Sequence, residues 1–67
     1  MRLDIKKLDL AMARRKWDTP QLAEAAKIKQ PSLSYWRKGR PIRPSTAGKL
    51  AEALGVDVAE IVEGGAG

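Results

Sequence analysis

The chain has no cysteine and no histidine among its 67 residues. Without thiols there is neither a disulfide framework nor a thiolate metal site. Without imidazole the commonest general base and the commonest metal ligand are missing too. Phenylalanine is absent, and the β-branched residues never gather into an alternating run, so no strand is predicted. The longest uninterrupted apolar run is Leu10-Ala11-Met12-Ala13, far short of a membrane span, and no hydrophobic signal core follows Met1-Arg2. No Ser or Lys has a base partner nearby to make it a nucleophile. The terminal glycines follow no strand and precede no helix, as a phosphate-cradling loop would require. A chain this short has a core that contributes only ~3–5 kcal/mol and little volume for a buried pocket. The reading is one small, soluble, intracellular domain that is not an enzyme and needs no cofactor or metal.

What the chain does have is an apolar fraction of 43%, ordinary for a folded domain, and a net charge of +5. The charge is unevenly placed. Between Lys27 and Lys49 stand seven basic residues (Lys27, Lys29, Arg37, Lys38, Arg40, Arg43, Lys49) and no Asp or Glu. The rest of the chain holds six basic against eight acidic residues, so the whole excess lies in the central third. Such a local field fits a polyanionic partner; the plainer alternative is a solvated basic face.

Turn residues and caps divide the chain into about five short helices, an all-α bundle forming a single domain over 1–63 with a flexible tail at 64–67. Asp4 caps a first helix from about Ile5 to Lys16, with Leu8, Ala11 and Met12 inward and Leu10 off the stripe. Asp18 and Gln21 have capping spacing for a second helix, about 19–26, carrying Leu22, Ala23 and Ala26. A third, about 30–38, opens at Gln30-Pro31, turns Leu33 and Trp36 inward and stops at Gly39. Two prolines make residues 39–44 a loop. Ser45 is the expected cap of a fourth helix with Ala47, Leu50, Ala51 and Leu54 on one face, closed by Gly55. Asp57 and Glu60 repeat the capping spacing ahead of a last short helix with Val58, Ile61 and Val62, ended by Gly64.

The second and third helices, joined by a three- or four-residue turn, have the layout of a helix-turn-helix, with Ile28 plugging the turn. An ordinary helical hairpin would show the same spacing. The third helix's outer face separates the two readings. With Leu33 and Trp36 inside, Gln30, Pro31, Ser32, Ser34, Tyr35 and Lys38 lie outside, a set of amide, hydroxyl and phenol groups without a carboxylate. Gln can pair bidentately with adenine, and hydroxyls reach base edges or phosphates. Lys27 and Lys29 flank the helix start, while Lys38, Arg40 and Arg43 flank its end, a bracketing that suits phosphates on either side of a groove.

In Trp17-Asp18-Thr19-Pro20-Gln21-Leu22-Ala23, Ile28 to Trp36, Lys38-Gly39 and Leu50-Ala51-Glu52-Ala53-Leu54-Gly55-Val56-Asp57, the sequence resembles the lambda-repressor-like, Cro-type helix-turn-helix domains of the Xre family. The resemblance covers roughly Ile5 to Val62. It implies a five-helix bundle whose third helix enters the major groove of double-stranded DNA. It places Gln30, Pro31, Ser32 and Tyr35 toward bases, and Thr19, Lys29, Ser34, Lys38, Arg40 and Arg43 toward phosphates. It also implies a bacterial or phage transcriptional regulator, cytoplasmic and nucleoid-associated, with no small-molecule domain and no membrane partner. A homodimer through the C-terminal helix, around Val58, Ile61 and Val62, is the expected assembly. Two alternatives stand beside it: a protein-interaction module, adaptor or antitoxin-like, on the same fold, and an excisionase-like architectural protein with a winged variant at 39–44.

Some positions depart from the family pattern. The turn position usually held by Gly is Lys27. Where the family often has an acidic residue paired with a first-helix arginine, this chain has Arg37 and Met12. Met12 is expected to pack near Trp36 and the Arg37 stem, leaving the guanidinium free for solvent or phosphate. Pro31 has no amide hydrogen to give a base, so readout rests on fewer groups and in part on DNA shape. Trp17 and Trp36 are read as core. Arg14-Arg15-Lys16 is read as complementing a helix dipole, and Asp9 and Glu24 as solvated.

Overall fold

Caps and left-handed C-terminal residues set the helix ends, and a computed structural model describes residues 1–64. The expected 64–67 tail therefore lies outside the described residues except for an exposed Gly64. Helix α1 runs Ile5–Arg14. The Asp4 carboxylate accepts the Lys7 backbone N–H at 3.1 Å, and Leu8, Ala11 and Met12 are buried while Leu10 is exposed. It stops two residues short of Lys16, which takes φ 58°, because the Trp17 N–H folds back to the Met12 carbonyl at 3.0 Å. That reversal returns the indole to the core's edge.

Helix α2 spans Thr19–Ala26, and the Asp18 N–H donates to Gln21 Oε1 at 2.9 Å, as the spacing predicts. It ends at Lys27 in the left-handed region (φ 58°, ψ 44°), with the Ile28 N–H reaching the Ala23 carbonyl at 2.8 Å. Helix α3 is Gln30–Arg37, one residue shorter than expected, with Lys38 at its cap and Gly39 at φ 90°. Helix α4 is Pro44–Leu54. Its cap position belongs to Arg43 rather than Ser45. Proline's fixed φ suits the first helical residue, and the residue before a proline is held extended, here at ψ 144°. At its other end Gly55 sits at φ 71°, and Arg15 Nε donates to the Leu54 carbonyl at 3.0 Å. Arg15 thus satisfies a carbonyl at the end of α4, a structural role but at another helix than the one whose dipole the basic run was expected to complement.

The fifth helix is reduced to a 3-10 turn, Val58–Glu60, held by the predicted Asp57–Glu60 box: Asp57 N–H to Glu60 Oε2 at 3.1 Å and Ala59 N–H to Asp57 Oδ1 at 2.9 Å. It does not continue because residues 61–63 pair with the N-terminal segment. Leu3 and Val62 form an isolated antiparallel bridge, with Asp4 N–H to Ile61 O at 2.8 Å and Glu63 N–H to Arg2 O at 2.9 Å. The Ile42 N–H also reaches the Met1 carbonyl at 2.7 Å, which ties the α3–α4 loop to the same segment. Among the described residues there is no strand, residues 40–43 are irregular loop and α4 is unbroken, the arrangement opposite to a winged variant.

α2 packs against both α3 and α4, and α1 and α4 meet the 3-10 turn. Leu3, Leu8, Leu22, Leu33, Leu50 and Ile61 are fully enclosed, with Ala23, Ala26, Ala47 and Ala51 letting the helices close on one another. Trp17, Ile28 and Trp36 are half-buried at the core's rim. Ile61 is inaccessible at 0% exposure, and Val58 and Val62 pack on the same core. Ile61 is therefore a core residue of the monomer and cannot itself belong to a dimer surface, whereas Val58 and Val62 stay partly exposed. Among the described residues no helix is long and apolar enough to cross a membrane.

Candidate nucleic-acid interface

Helix α3 owes its orientation to one fully buried residue, Leu33, and to a half-buried Trp36 three positions on. With that face turned inward, helical periodicity leaves the opposite face outside. Gln30, Pro31 and Tyr35 are exposed there, and Ser32 and Ser34 are half-buried at its margins. The left-handed Lys27 and the extended Lys29 (φ −68°, ψ 136°) make the α2–α3 turn three residues long, so the two helices are held at a fixed angle by backbone geometry.

Cations surround this face. Lys29 stands at its start, and Lys38, Arg40 and Arg43 at and beyond its end, all exposed. Among the described residues the ion pairs are Asp9–Arg37 and Arg14–Glu60, so none of these four has a carboxylate partner. Arg40 stacks over the Tyr35 ring with its Cζ 5.7 Å from the ring centre, which brings the loop against the exposed side of α3. Thr19 opens α2 and is half-buried. The ten residues singled out in the sequence thus all reach the surface, on α3, the start of α2, the α2–α3 turn and the loop that follows α3.

One expectation fails at this site. Arg37 is not free: Nη2 is 2.9 Å from Asp9 Oδ1, and Nη1 is 3.7 Å from Met12 Sδ. Contact with Met12 was expected; the pairing was not, and Asp9 is correspondingly not merely solvated. The reason is helical spacing. Asp9 lies one turn before Met12 on α1, so a guanidinium that crosses the thioether meets the carboxylate. The sequence holds this signal in the i, i+3 relation of Asp9 and Met12. The Tyr35–Arg40 stack has no comparable signal, because it depends on how the Pro41 loop folds.

A short α2, a tight turn and an α3 whose outer face carries hydrogen-bonding groups amid unpaired cations define a helix-turn-helix nucleic-acid-binding domain. A family model for the Cro/C1-type HTH DNA-binding domain matches residues 7–64, and the chain belongs to that family. DNA binding follows as the family's activity. The chain matches no curated protein and no solved structure at a significant level.

Proposed function

We propose that the protein is a transcriptional regulator that binds double-stranded DNA at a specific sequence by laying α3 in the major groove. The observation that carries this reading is the outer face of α3, free of carboxylates and bracketed by exposed, unpaired Lys29, Lys38, Arg40 and Arg43. Gln30, Ser32 and Tyr35 read base edges, while Pro31 gives apolar contact only, having no N–H to donate. Thr19, Lys29, Ser34, Lys38, Arg40 and Arg43 hold phosphates and set register. The protein performs no catalysis; it acts by occupying its site, in the cytoplasm at the nucleoid, and blocks or aids polymerase there.

The domain's longest axis is 30 Å, shorter than one helical turn of duplex at about 34 Å. One copy therefore covers a half-site, and useful specificity comes from two copies on a repeated sequence. Selection of bound duplexes from a random library near physiological salt tests the reading. An enriched inverted repeat is the expected result, and its spacing gives the dimer axis. A single enriched half-site contradicts the dimer and keeps specific binding. No enrichment, with duplex binding only at low salt, overturns specificity and favours a protein partner for this face.

A further inference from the structure

The Asp9–Arg37 pair joins α1 to the end of α3 across 28 residues of chain. Its side chains are 54% and 25% exposed, respectively. An ion pair so open to water adds little to stability, so it is a weak staple. Its location is more telling. Asp9 and Arg37 share one open cleft with Met12, Lys16 and Thr19, the last being the residue that opens α2 and is assigned to a phosphate. Two carboxylates line this cleft, the α2 cap Asp18 and Asp9, and it is Asp9 that holds the one arginine of α3.

Guanidinium binds phosphate as readily as carboxylate, through the same forked geometry. We infer that Asp9 is a positioning residue that competes with the DNA backbone for Arg37 and keeps this guanidinium out of phosphate contact. Asp9 thereby sets the affinity and the salt sensitivity of binding below what the cations of this face would otherwise give. Met12 contributes by seating the guanidinium with its thioether 3.7 Å from Nη1, so that only the carboxylate holds its other side. The inference rests on the duplex-binding reading above.

The experiment is titration of the chain and its Asp9→Asn variant with a random-sequence duplex across a range of KCl concentrations. Asp9→Asn keeps the side chain's shape and removes its charge. The expected result is several-fold tighter binding at low salt and a log–log salt slope steeper by about 0.9, the signature of one further neutralised phosphate. Adding Arg37→Met to Asp9→Asn returns the slope to its starting value. Asp9→Ala, run in parallel, gives the same gain if charge is the cause. A purely structural pair moves none of this upward: equal or weaker binding by folded Asp9→Asn and Asp9→Ala chains, with an unchanged slope, overturns the inference while leaving duplex binding intact. If the parent chain itself binds no duplex at low salt, the DNA reading falls and takes the inference with it.

Discussion

Lys29, Lys38, Arg40 and Arg43 bring charge to the α3 face, whereas Gln30, Ser32 and Tyr35 bring donors and acceptors whose partners differ from base to base. The two groups should therefore fail differently. Lys38→Ala is expected to weaken binding to all duplexes alike and to lower the salt slope by about 1. Gln30→Ala is expected to cost about 1–3 kcal/mol on the selected site, to relax preference at one base pair and to leave the slope unchanged. Competition titrations with selected and random duplexes at several salt concentrations separate the outcomes. What was legible in the sequence is which side of α3 faces in, fixed by Leu33 and Trp36, and hence which side chains it leaves outside. The fate of Arg37 was not: its chemistry permits phosphate, solvent or carboxylate, and only the placement of α1 beside α3 decides for Asp9.

Among the elements, α2 and α3 matched their expected bounds most closely because each opens on a start signal, the Asp18–Gln21 capping spacing and Pro31 in the first turn. The ends of α1, α3 and the C-terminal turn shifted by one to three residues. There the decision falls to reversals such as Lys16 at φ 58° and to pairing with a distant segment, neither written in local periodicity. Lys27 occupies the same left-handed geometry that favours glycine, at φ 58°. Helix α4 holds a different glycine, Gly48, in mid-helix, exposed and with open space where a side chain would sit. Gly48→Ala should raise stability by about 0.5–1 kcal/mol through the helix's lower backbone entropy loss. Chemical denaturation would show the midpoint rising at an unchanged m-value.

For the whole molecule, the least foreseeable feature is the closure of the two ends on the α3–α4 loop. Leu3, Ile42 and Ile61 are buried at 2%, 3% and 0% exposure, and two of the three lie in segments that show no helical period. Local patterning is blind to them because their burial comes from three separate pieces of chain meeting at the Leu3–Val62 bridge. Where a core this small supplies only ~3–5 kcal/mol, Leu3→Ala removes a buried side chain at about 2–5 kcal/mol. The variant should be largely unfolded near 37 °C by circular dichroism, although Leu3 lies outside the family-matched residues 7–64. The central claim, that α3 and its flanking cations form the DNA surface, is tested most directly by backbone amide chemical shifts of the labelled protein titrated with duplex DNA. The account predicts that perturbations concentrate at Thr19, Lys29 to Lys38 and Arg40 to Arg43, with the exposed Leu10 and Glu60 side of the molecule unmoved. Perturbations centred on Leu10 and Glu60, or none at any salt, would contradict it.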